Sequence, residues 1–206
     1  LLHLVTSQHH RFHDTSLSRM VRAARHAVAL DERRAAYAPT LWDNLDALNA
    51  ASGERAYRQV HFPGDHGAVG GGGDVRDLSS IALDWIMEGA AAQGLAFEPE
   101  ARAAIRAEQH PLGPLTGSTG PRRGFINAIM ALMPKRDRDG PDRLEDVHRS
   151  ARIRFAAETK SRAARPYRPR SLRKVAPALT AWANAGGGDG GDDATGEGDG
   201  GGTETA

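Results

Sequence analysis

The chain has no cysteine, few aromatic side chains and no long apolar run. Without cysteine there are no disulfides and no thiolate metal sites, a usage that fits a reducing, cytoplasmic setting. No stretch of about 18 apolar residues occurs, which excludes a membrane-spanning helix. The opening residues, Leu1-Leu2-His3-Leu4-Val5, lack an initiator methionine, a basic segment and an extended apolar core. They do not read as a signal peptide. They read as the middle of a longer protein, expected to be cytoplasmic or exported without such a signal. Nucleotide-binding signatures are missing too. The glycine run at 70–73 is followed neither by Gly-Lys-Ser/Thr nor by the spacing of a dinucleotide fingerprint, so no cofactor is expected.

Glycine is abundant instead, with 24 glycines and 11 prolines among 206 residues. Ten of those glycines lie between Gly186 and Ala206, with six acidic residues and no basic, aromatic or large aliphatic one. Such a segment cannot bury enough apolar surface to offset the entropy of ordering, and it is expected to be disordered. The chain is therefore divided into one domain over residues 1–185 and a Gly/Asp-rich tail over 186–206. Without the tail the charge changes from +1 to +7, because residues 1–185 carry 27 basic and 20 acidic groups. Seven of those cations fall between Lys160 and Lys174, where Tyr167 is the only aromatic residue. The plain reading of this run is a solvated extended segment. The functional reading is attraction to an anionic membrane surface. Nucleic acid is not an expected partner, since no aromatic interleaving or recognisable nucleic-acid module accompanies the charge.

A histidine in a glycine-rich loop is the strongest local signal. Tyr57 to Phe62 alternates as a strand, with Arg58, Val60 and Phe62 on one face and Tyr57, Gln59 and His61 on the other. Pro63 and Gly64 end it, which puts His66 on a loop past the strand's carboxyl end, where ligands gather in open α/β sheets. Four glycines, Gly70 to Gly73, let the backbone pass close to another segment or a substrate. Around this loop the 3.6-residue period predicts helices over Ser16–Leu30 and from Asp77 to Gly94. It also predicts one from Pro99 to about Gln109 and a short one through Phe125, Ile129 and Met133. Helix, strand, glycine loop and helix together predict a helix-rich α/β fold with few strands.

Other reactive groups fit poorly. His9 and His13 stand four apart near His3 and His10, but no carboxylate completes a metal-binding pattern, so no metal is expected. His26 and His148 read as packing or capping residues. None of the ten serines sits in G-x-S-x-G, the strained turn that exposes a nucleophile; Gly117-Ser118-Thr119-Gly120 is the nearest approach. Asp31 and Asp65 qualify as acids by position only, and each has a simpler role, Asp31 beside Arg33 and Arg34 or in a turn, Asp65 as a turn former.

Several motifs occur in a recognisable order. Arg25-His26-Ala27-Val28-Ala29-Leu30-Asp31-Glu32-Arg33-Arg34 is followed by Tyr37-Ala38-Pro39 and Leu41-Trp42. Then come Phe62, Gly64, His66 and Val69 to Gly72, the helix Leu78 to Ile86, Val147-His148-Arg149-Ser150 with Arg154, and Tyr167-Arg168-Pro169 with Leu172. Over about residues 17–174 this resembles the C-terminal part of an α/β-hydrolase family that includes the type VI secretion phospholipase effectors. The sequence departs from that pattern at Ala68, where relatives often carry Asp or Ser.

The resemblance implies a partial α/β-hydrolase fold and a Ser-Asp-His triad whose histidine is His66. In that fold the nucleophile and acid precede the histidine along the chain, so a segment beginning at this point would lack both. It also implies an ester substrate, with lipid or phospholipid favoured, and the missing N-terminal half of the domain as partner. The expected function is the C-terminal part of a serine ester hydrolase. The alternative is a catalytically inactive fragment or interaction module that keeps the hydrolase framework.

Overall fold

The structure is a computed structural model and describes residues 15–53, 55–118, 134–157 and 165–187. The predicted helix at 125–133, the histidines at 3, 9, 10 and 13 and the tail from 188 lie outside the described residues.

Two parallel strands form the centre, β1 (Ala24–Ala29) and β2 (Tyr57–Phe62), in the register Ala24↔Tyr57 through Ala29↔Phe62. Parallel neighbours need a crossover, and here it contains a 3₁₀ turn at Ala35–Tyr37 and helix α1 (Leu45–Ser52). After β2 come α2 (His66–Gly70), α3 (Asp77–Ala91) and α4 (Pro99–Ala107). The chain then adds α5 (Arg149–Ala156) and α6 (Ala176–Asn184).

Helices cover both faces of the strands, as a parallel pair requires. On one face Val60 and Phe62 pack with Ala68, Val69, Leu78, Ile81 and Trp85 of α2 and α3. Phe62 and Trp85 meet edge to face with their ring centroids 5.4 Å apart, a favoured aromatic geometry. A second cluster joins Leu30 to Ala151 and Phe155 of α5, Leu179 of α6, and Val147, Leu172 and Val175 of the segments that lead into those helices. The architecture is thus a helix-rich α/β arrangement with few strands.

Residues 16–30 correct the sequence reading. Their spacing predicts a helix, but the segment contains β1. Met20, placed on the predicted apolar face, is 92% exposed. The backbone groups of Ala24–Ala29 are satisfied by β2, and this pairing outweighs the helical propensity of an alanine-rich stretch too short to hold a helix by itself. The other predicted elements agree closely. β2 occupies the expected residues, α3 starts at Asp77 and α4 starts at Pro99 with proline in its first turn.

Candidate functional site

The site lies past the carboxyl ends of the two strands. The ladder continues into the loops there: Leu30 N donates to Phe62 O at 2.9 Å, and Asp31 N donates to Gly64 O at 3.0 Å. Gly64 adopts φ +113°, and a Cβ on it would lie 2.7 Å from the Ala68 methyl, so the turn admits only glycine. Asp65 then caps α2 by accepting from Ala68 N at 2.9 Å. His66 follows as the first helical residue, with its ring exposed. Ala68 directs its methyl into the core formed with Val60 and Phe62.

A closed set of contacts grips His66 from two sides. Its backbone N–H donates to Glu32 Oε2 at 3.3 Å, and its ring packs on Tyr37 with centroids 4.7 Å apart. Glu32, only 2% exposed, also accepts from Arg34 N at 2.7 Å, from Arg34 Nε at 2.8 Å and from Arg34 Nη2. The Arg34 guanidinium lies 4.4 Å above the Tyr37 ring, which closes the circuit. Burial alone would push the Glu32 carboxyl up. The Arg34 side chain, the Arg34 and His66 N–H groups and the arginine charge outweigh burial and hold it at about 2.

Asp31 has a different task from those expected of it. Its Oδ2 accepts from Gly64 N at 2.7 Å and from the Tyr167 hydroxyl at 2.8 Å. Burial raises its pKa and outweighs those two hydrogen bonds. It therefore ties the strand end, the histidine loop and the C-terminal segment together. Arg33 instead pairs with Asp137 at 3.0 Å. Among the described residues no hydrogen bond links the His66 imidazole to Asp31, Asp65 or any hydroxyl.

His66 opens onto a cavity of about 810 Å³, shared with Gly70–Gly73, the β1 backbone, Ser79, Leu83 and Arg138. Ser79 Oγ donates to Arg76 O at 3.2 Å, and Ser80 Oγ donates to Glu108 at 3.0 Å. Both serines lie within α3, away from any strand-to-helix turn where a nucleophile would be exposed. The glycine run makes the close approach expected of it: a Cβ on Gly73 would run into the Gly117 carbonyl, which also accepts from Val75 N at 3.2 Å.

Two other histidines behave as framework. His26 Nδ1 meets Gln59 Oε1 at 3.1 Å, and the ring packs on Trp42. His148 caps α5 by accepting from Ser150 N at 3.2 Å and stacks on Phe62 at 4.2 Å. In the basic run, Arg170 pairs with Asp137 and Lys174 with Asp142, each at 2.7 Å, while Arg168 lies over the Phe155 ring. Among the described residues no group of three or more histidine and carboxylate side chains is arranged to hold a metal. No helix among them is long and apolar enough to cross a membrane.

The sequence singles out His66, which the structure places past the strand ends, but gives no signal for the groups that hold it. Glu32, Arg34 and Tyr37 lie inside the recognised motifs, yet nothing in their spacing shows that they close around the histidine. Arg138 follows His66 by many residues and gives no local signal.

Comparison with known proteins agrees with this part of the chain. The family model for the T6SS phospholipase effector Tle1-like catalytic domain matches residues 2–89, less than half of the 206. The match spans β1, β2 and His66 and ends within α3. No curated protein and no solved structure matches. Over residues 2–89, the chain is similar to a phospholipase effector catalytic domain.

Proposed function

We propose that this chain supplies the general-base histidine, His66, to a serine hydrolase of lipid esters, with the serine and acid of the triad outside these residues. The observation that carries the reading is the placement of His66. It is exposed at the carboxyl ends of two parallel strands, at the mouth of an 810 Å³ cavity, within the segment similar to a phospholipase catalytic domain. A partial α/β-hydrolase framework also accounts for the bare side of the sheet. Among the described residues β1 pairs only with β2, and the cavity along its other edge is bordered by Leu83 and Ile86, 46% and 38% exposed. Further strands of a hydrolase sheet would cover that edge.

The chemistry follows from the imidazole. His66 takes the proton of a serine hydroxyl as its oxygen attacks the ester carbonyl, and returns it to the departing alcohol. The acyl-enzyme is then cleaved by water, whose proton His66 accepts and returns to the serine oxygen as the carboxylic acid departs. Glu32 anchors the His66 backbone and Tyr37 packs on its ring during both transfers. The described serines offer no nucleophile beside His66, which is why the serine is assigned elsewhere.

The test is His66→Ala in a protein that carries the complete catalytic domain, assayed on a short-chain glycerophospholipid. Hydrolysis is expected to fall by about a thousandfold or more. Unchanged hydrolysis would refute the assignment. A fluorophosphonate probe is expected to leave the 206-residue chain unlabelled, and labelling of any of its serines would overturn the location of the nucleophile.

A further inference from the structure

Arg138 is a half-buried cation that lines the cavity His66 faces and has no counter-ion among the described residues. The segment around it runs beside the strand-end motif, with Ala35 N donating to Pro134 O at 3.1 Å and Arg136 N to Arg33 O at 2.8 Å. Arg138 Nη2 donates to Arg34 O at 3.3 Å and to Tyr37 O. These bonds fix the guanidinium without neutralising it. Among the described residues no carboxylate lies within ion-pair distance of it. Glu32 stands near enough to act on Arg138 through its charge, but its oxygens already accept from Arg34 and His66. Glu32 and Asp65 both act on Arg34 through their charge, which leaves Arg138 as the cation of this group that no described carboxylate pairs with directly. The N–H groups of Gly72 and Gly73 border the same cavity and donate to no described acceptor.

We infer that Arg138 recognises a phosphate group in the His66 cavity, and that it is a specificity-determining residue for phosphate-bearing substrates. A partly desolvated guanidinium with unspent donors is matched by the oxygens of a phosphate, which accept charge-assisted hydrogen bonds in its planar fork geometry. A neutral ester would leave the charge unpaired, at a desolvation cost with no return. The inference rests on the reading that His66 works at this cavity. The phosphate comes either from the head group of a lipid substrate or from the free anion.

Equilibrium dialysis of the full 206-residue chain with radiolabelled inorganic phosphate tests this at constant ionic strength. Saturable binding is expected, weakened by about tenfold or more in Arg138→Gln and largely kept in Arg138→Lys, which retains the charge. Far-UV circular dichroism confirms that both variants are folded. Equal binding by wild type and Arg138→Gln, or no saturable binding by the wild type, would overturn the inference. Competition separates the sources. Displacement by dihexanoylphosphatidylglycerol supports a lipid head group, and failure of that lipid to displace bound phosphate supports the free anion. Equal displacement by dihexanoylglycerol, which has no phosphate, would overturn the assignment. His66→Ala distinguishes this inference from the hydrolase reading. Its phosphate binding should persist, so binding without a role for His66 in hydrolysis defeats only the hydrolase reading. His66-dependent hydrolysis without phosphate binding defeats only the inference.

Discussion

Glu32→Gln removes the charge at the centre of the contacts around His66. The wild-type carboxylate is 2% exposed and takes three donors from Arg34 and one from His66. Its pKa lies at about 2 instead of 4.5. A depressed carboxylate pKa contributes stability that is fully present above pH 4.5 and is lost as pH falls toward 2. The shift corresponds to about 3 kcal/mol at neutral pH. Breaking a buried ion pair from one side costs about 3–5 kcal/mol, and Arg34 keeps 19% of its side chain exposed, which favours the lower end. Both routes lead to a loss of about 3 kcal/mol at pH 7. Urea denaturation followed by circular dichroism measures it. At pH 3 the gap between variant and wild type should shrink to about 1.4 kcal/mol, because Glu32 of the unfolded chain is then largely protonated while the folded carboxylate stays mostly ionised. Groups that titrate alike in both proteins cancel from this difference. A variant within about 0.5 kcal/mol of wild type at pH 7, or a gap equally large at pH 3, would refute the reasoning.

Two further substitutions test the frame around the site. Gly64→Ala forces a Cβ to within 2.7 Å of Ala68 at φ +113° and should cost about 3 kcal/mol, whereas Gly53→Ala, at φ +72° with nothing within 4 Å, should cost about 1 kcal/mol. Equal urea midpoints for the two variants would contradict this. His148 titrates at about 3 instead of 6.5, pushed down by burial first and then by Arg58, Arg152 and Arg149. Its folded pKa is depressed, so the unfolded chain binds the proton first and stability falls as pH drops below 6.5, by about 2 kcal/mol between pH 6.5 and 5. His148→Asn keeps a capping side chain and should flatten that part of the pH profile; an unchanged slope would exclude His148 as its source.

Much of the framework was legible because its signals are local. The alternation of Tyr57 to Phe62, the stop at Pro63-Gly64, the first-turn proline of α4 and the apolar period of Leu78, Ile81 and Trp85 each act within a few residues of one another. His66 was legible for the same reason, as the histidine that follows a strand and precedes a glycine run. β1 was not. Its residues repeat at helical spacing, and the choice between helix and strand was made by β2, which lies more than 25 residues away in sequence and supplies its hydrogen bonds.

By itself, the sequence determined a cysteine-free helix-rich α/β chain, one histidine at a strand end and a resemblance that the family model supports over residues 2–89. Those depend on composition, short-range periodicity and the conformational limits of proline and glycine. Only the tertiary structure decided what surrounds the histidine. Glu32 meets its backbone, Arg34 and Tyr37 close the frame, Asp31 turns to Gly64 and Tyr167, and Arg138 enters without a counter-ion among the described residues. Charge pairing and ring contact depend on distances across the fold, and residue spacing along the chain carries no record of them.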